Sequence, residues 1–72
     1  MKVNKTQALM YLLNVLITNK QISKEYIKNK LEISDLTFRR YMQEIRAYLI
    51  NFELPYELKY LKGEDIYSLV DL

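Results

Sequence analysis

The 72-residue chain contains neither cysteine nor histidine. That excludes disulfides, the common zinc and haem ligand sets, and any nucleophile–histidine pair. There is a single glycine, Gly63, and a single proline, Pro55, so no glycine-rich loop can cradle a phosphate. The longest apolar run covers residues 8–13, far short of the roughly 20 residues a membrane helix needs. Residues 1–7 turn polar where a secretory signal would need an apolar stretch, so a cytoplasmic chain with no membrane partner is expected. Acidic pairs do occur: Glu64 with Asp65, and Glu53 and Glu57 flanking Pro55. They read as solvated loop carboxylates. General acid–base chemistry needs a pocket that shifts a pKa, which so short a chain does not promise. The expectation is a protein that is not an enzyme and takes no cofactor or metal.

Half of the residues are hydrophobic, which suits one small globular domain rather than a disordered tail. The net charge is only +2, but it is unevenly placed. Residues 1–30 hold Lys2, Lys5, Lys20, Lys24, Lys28 and Lys30 against Glu25 alone. Residues 31–52 balance Arg39, Arg40 and Arg46 against Glu32, Asp35 and Glu44. Residues 53–72 set five acids against Lys59 and Lys62. A basic front half points weakly to a polyanionic partner, while composition alone favours a solvated lysine face.

The hydrophobic period changes once, near Pro55, from helical to alternating. A first helix is predicted over residues 6–17, with Asn4 and Gln7 spaced as a capping box and Thr6 as a rival cap. Ala8, Leu12, Val15 and Leu16 share one face of it, and Met10, Leu13 and Ile17 the opposite one. One small core cannot cover both faces. The helix is therefore either central or in contact with a second subunit or neighbouring domain. Ile22 fits a very short strand. Ser23 is the expected N-cap of a second helix over residues 24–31, with Ile27, Leu31 and Tyr26 as its buried candidates.

After a short turn at Glu32 and Ile33, Ser34 caps a third helix over residues 35–51. Phe38, Met42, Ile45, Leu49 and Phe52 step by 4, 3, 4 and 3, which marks the core stripe. Arg40 and Ala47 point away from it. The outward face of the helix's first half carries Leu36, Thr37, Arg39, Arg40 and Gln43. Beyond Pro55, Tyr56-Glu57-Leu58-Lys59-Tyr60 and Ile66-Tyr67-Ser68-Leu69 alternate around a turn near Gly63, which predicts a β-hairpin. The expected fold class is mainly α with a small β-hairpin: a single winged helix-turn-helix domain over residues 1–72, three helices plus a two-stranded wing.

In that plan the third helix enters a DNA major groove, and its N-terminal residues meet base edges. Arg39 and Arg40 can each donate two hydrogen bonds to guanine, Gln43 can pair twice with adenine, and Leu36 can touch a thymine methyl. Ser34 and Thr37 suit phosphate contacts at the helix start. Lys24, Lys28 and Lys62 are the candidates for flanking phosphates. The bland alternative for each of these residues is a solvated outer face. The seven tyrosines read as edge-of-core residues rather than base-stacking platforms.

The segment Ile33-Ser34-Asp35-Leu36-Thr37-Phe38-Arg39-Arg40-Tyr41-Met42, followed by Ile45, resembles the recognition-helix signature of the DeoR-like bacterial winged-helix regulators. The same layout occurs in biotin-repressor-type and Mga-like regulators. Ile22-Ser23-Lys24-Glu25-Tyr26-Ile27 is similar to the family's strand leading into its second helix, and Tyr67-Ser68-Leu69 to the second strand of its wing. The resemblance spans about residues 6–70. It implies sequence-specific binding of double-stranded DNA by a transcriptional regulator. Arg40 would be the characteristic arginine and Arg39 the variable base reader. Tyr41 stands where the family usually has Asp, and the turn Lys62-Gly63-Glu64-Asp65 is mixed in charge where a DNA-gripping wing is basic. The resemblance further implies a homodimer or a neighbouring domain, joined through the first helix or through Leu49, Ile50 and Phe52. The chain would then be the N-terminal domain of a longer regulator, with a complete small protein as the alternative. A protein-binding adaptor on the same fold is the competing function.

Overall fold

The structure is a computed structural model and describes residues 3–72; Lys2, counted above with the basic front half, lies outside them. The element order is α1 (Lys5–Asn19), β1 (Gln21–Ser23), α2 (Lys24–Leu31), α3 (Asp35–Asn51), β2 (Tyr56–Leu61) and β3 (Ile66–Asp71). The molecule is mainly helical with one small antiparallel sheet.

Each helix starts where a short polar side chain takes up free backbone donors. Asn4 Oδ1 accepts the Gln7 N–H at 2.8 Å, Ser23 Oγ that of Tyr26 at 3.3 Å, and Ser34 Oγ that of Thr37 at 3.1 Å. The first two helices end on non-glycine residues in the left-handed region, Lys20 (φ 68°) and Glu32 (φ 56°), whose N–H groups return to the carbonyls of Leu16 and Lys28. α1 runs about two residues past its expected end, because this left-handed stop comes only at Lys20.

The core is built from the predicted stripes. Ala8, Leu12 and Leu16 come from α1, Ile22 from β1, Ile27 and Leu31 from α2, and Phe38, Met42, Ile45 and Leu49 from α3. Leu58 and Leu69, opposite each other across the hairpin, close it from the sheet side. Phe38 is the largest fully buried side chain, and its ring meets the Tyr67 ring edge-on at 5.5 Å.

Three expectations need correction. The sheet has three strands rather than two, in the order β1-β3-β2. The short strand at Ile22 pairs with the hairpin through Gln21↔Ser68, Ile22↔Tyr67 and Ser23↔Ile66. A free hairpin of two strands is marginal in water, and β1 gives β3 a partner on its other edge. Second, Phe52 is not in the core stripe; it is 67% exposed. α3 stops at Asn51, and Glu53 turns left-handed (φ 51°). The N–H of Glu53 then reaches the Ile50 carbonyl and that of Leu54 the Leu49 carbonyl, a Schellman closure. Leu54 packs against the core instead. Third, Tyr26 is exposed, with the Lys30 ammonium 6.0 Å from its ring centre.

Among the described residues, no helix is long and apolar enough to cross a membrane.

Candidate nucleic-acid interface

α3 is anchored along its whole inner side by Phe38, Met42, Ile45 and Leu49, which fixes what its outer side displays. Leu36 is 54% exposed and Arg39 65%; Arg40 and Gln43 are also exposed. Residues 36, 40 and 43 follow the i, i+4, i+7 spacing of one helix face, with Arg39 beside them. They form one ridge of an apolar side chain, two guanidiniums and an amide. Arg40 makes no ion pair among the described residues, and Arg39 has one long pair, Nη1 to Asp35 Oδ2 at 3.8 Å.

Ser34 and Thr37 stand at the start of this ridge, and their hydroxyls already have partners. Ser34 Oγ accepts the Thr37 N–H and donates to Thr37 Oγ1 at 3.0 Å. Their first task is to close the helix end.

The α2 lysines occupy a different environment from the one expected. Lys24 Nζ lies 3.1 Å from Asp35 Oδ1 and 3.6 Å from Asp65 Oδ1. Lys28 Nζ lies 3.6 Å from the same Asp35 oxygen and 3.6 Å from Glu25 Oε1. Their side chains are only 21% and 20% exposed. The hydrogen bond from Lys24 holds the Asp35 carboxyl below the usual carboxylate range. Partial burial opposes that shift, and the charges of Lys24, Lys28 and Arg39 add to it. The same hydrogen bond raises Lys24 above the usual lysine value, again against partial burial and with help from the charges of Asp35 and Asp65.

Asp65 draws the hairpin turn into this cluster. Its carbonyl accepts the Lys24 N–H at 3.1 Å and its Oδ2 accepts the Glu25 N–H at 3.2 Å. Asp65 thus shares the capping of α2 with Ser23, instead of standing in water at the tip of a wing. Lys62 is exposed in the same turn and makes no ion pair among the described residues. The structure therefore sorts the sequence candidates into three groups, with the exposed Lys62 apart from them in the hairpin turn. Leu36, Arg39, Arg40 and Gln43 form the outward ridge. Lys24 and Lys28 are drawn into ion pairs, and Ser34 and Thr37 into the cap.

Two features escaped the sequence. Arg46 Nη2 donates to the Leu58 carbonyl at 3.0 Å and fastens β2 to α3; nothing in its local pattern signals this. The Asp35–Asp65 pairing of Lys24 was also missed. A lysine just after an N-cap, with an acid opening the following helix, was the available hint. Elsewhere, the end of α3 exposes Tyr48, Ile50 and Phe52 beside the polar Arg46 and Asn51. Tyr48 and Phe52 have ring centres 5.1 Å apart. Leu9, Met10, Leu13, Glu44, Ile45 and Tyr48 line an open groove of about 190 Å³ between α1 and α3. Lys5 and Glu44 pair at 2.9 Å. Among the described residues, no three His, Cys, Asp or Glu side chains form a metal-holding group.

No protein-family model, curated protein or solved structure matches the chain.

Proposed function

We propose that the chain is a winged helix-turn-helix domain that binds double-stranded DNA sequence-specifically, as in a bacterial-type transcriptional regulator of the cytoplasm. The order helix, strand, helix, helix, strand, strand, with β1 beside β3, supports the winged arrangement. Only residues 32–34 separate α2 from α3, as a helix-turn-helix requires. One observation carries the reading: Leu36, Arg39, Arg40 and Gln43 stand exposed together on the N-terminal half of a helix whose other side is the core. A major groove admits one such helix, and its N-terminal side chains reach the bases.

Tyr48, Ile50 and Phe52, exposed near the end of α3 beside the apolar groove, support a homodimer within this reading. The same apolar groove is what favours the second reading, an adaptor that binds another protein through α1 and α3.

Selection from a random duplex pool at two salt concentrations separates the two. DNA binding gives an enriched half-palindrome and an affinity that falls steeply with salt, with a log–log slope of about −0.9 per phosphate contacted. No enrichment, together with a salt-insensitive protein complex, gives the adaptor. The R39A/R40A double variant should keep its fold and lose roughly 30-fold or more in duplex affinity, since each bidentate base contact is worth about 1–3 kcal/mol. Unchanged affinity would remove the ridge from the site.

A further inference from the structure

We propose that Asp35 sets how the domain grips a duplex: its carboxylate withholds Lys24 and Lys28 from the phosphate backbone and steadies the Arg39 guanidinium. The proposal rests on the DNA-binding reading above and names a positioning residue within that interface.

Asp35 is the first residue of α3, and one carboxylate meets three cations from two helices. Lys24 and Lys28 share its Oδ1 at 3.1 and 3.6 Å, and Arg39 faces its Oδ2 at 3.8 Å. Asp65 supplies a second counter-charge to Lys24, and Glu25 a second to Lys28. Three acids thus answer three cations where α2, α3 and the hairpin turn converge. Exposure separates those cations: both lysine side chains are about four-fifths covered, whereas Arg39 remains mostly in solvent.

Neutralised lysines change the character of binding. A cation that already holds a carboxylate must give it up before meeting a phosphate, and fewer counterions are released when it does. Phosphate contacts add affinity for every sequence alike, whereas contacts to base edges distinguish sequences. Removing two lysines from the first class raises the share of recognition carried by Arg39, Arg40 and Gln43. Asp35 also opposes phosphates at the start of the reading helix, and its charge orients Arg39 from four residues away. No acid follows Arg40, where Tyr41 stands, so this orientation comes from the N-terminal side of the ridge.

The test compares wild type, D35N, K24Q/K28Q and the D35N/K24Q/K28Q combination. The probes are a duplex selected from the random pool and its scrambled counterpart, titrated across a fourfold range of salt. Thermal unfolding is followed in parallel. D35N leaves Lys24 only Asp65 and Lys28 only Glu25, each at 3.6 Å, and should steepen the log–log slope by up to about 1.8, the limit of about 0.9 for each lysine that then meets a phosphate. The low-salt to high-salt affinity ratio then widens by as much as about twelvefold. The preference for the selected over the scrambled duplex should fall because Arg39 loses its carboxylate, the freed lysines acting on both duplexes alike. K24Q/K28Q should leave the wild-type slope unchanged and return the D35N slope to it. A merely structural role for Asp35 would lower the unfolding temperature without moving the slope. The proposal is overturned by an unchanged slope in D35N, or by a shallower slope in K24Q/K28Q alone. The latter comparison decides the matter even if D35N does not fold. Duplex binding by wild type without these shifts removes only the role of Asp35. No duplex binding by wild type or by D35N ends the DNA reading along with it.

Discussion

The two halves of α3 share one buried stripe and expose opposite chemistries. Residues 36–43 show water two guanidiniums, an amide and one leucine, whereas residues 48–52 show it Tyr48, Ile50 and Phe52 with Asn51 as the one polar side chain among them. The inner stripe of Phe38, Met42, Ile45 and Leu49 is continuous beneath both. Folding therefore constrains one side of the helix, and the outer side is free to carry a polar ridge at one end and an apolar rim at the other. The difference teaches that the halves can be broken separately, and that only damage to the shared stripe should harm both.

The largest effect is expected from F38A, which empties the centre of that stripe. A buried Phe→Ala change costs about 3–5 kcal/mol, comparable to the roughly 3–5 kcal/mol that a core of this size supplies. Circular dichroism should show a largely unfolded chain with both surfaces lost. Next come the two halves themselves. R39A/R40A should abolish duplex retention in a mobility-shift assay and leave the sedimentation coefficient unchanged. Y48S/F52S should do the reverse, dissociating any dimer in sedimentation while a single domain still engages a half-site weakly. Loss of both properties in either variant would erase the division.

A smaller effect follows from S34A, which removes the cap at the polar end only. An N-cap serine is worth about 1 kcal/mol. Amide hydrogen exchange should speed up around Thr37 and Phe38 and stay slow near Leu49. The smallest effect is on pH dependence, again confined to the polar end. Asp35 has a lower pKa folded than unfolded, so the stability it contributes is present above the ordinary carboxylate range. That stability is lost as the pH falls through the folded value. Lys24 is raised, so its contribution is present below the ordinary lysine value and is lost in alkali as the pH passes the folded value. The urea midpoint should be flat through neutrality and decline below about pH 4. D35N should remove a part of that acid decline.

Much of this arrangement was legible in the sequence, for local reasons. Asn4, Ser23 and Ser34 each lie one residue ahead of a helix, and caps act within one turn. The stripe from Phe38 to Leu49 is a helical period that cannot be satisfied any other way. The outward position of Arg39 and Arg40 follows from that stripe by geometry. What was not legible depends on residues distant in sequence. Ile22 pairs across the sheet with Tyr67, which turns a two-stranded wing into a three-stranded sheet. Lys24 finds Asp65 because the hairpin folds back over the start of α2. Phe52 continues the helical spacing but not the helix: α3 ends at Asn51, and the left-handed Glu53 turns the chain so that Leu54 packs on the core instead.

The attachment of Asp65 to the start of α2 has a further consequence. A surface hairpin tip is ordinarily where a polypeptide accepts extra residues at little cost. Here that freedom is gone: the tip is a clasp, closed through the amides of Lys24 and Glu25 on a segment forty positions earlier. Lengthening the loop at Gly63 would slacken the clasp and loosen the seat of the second helix.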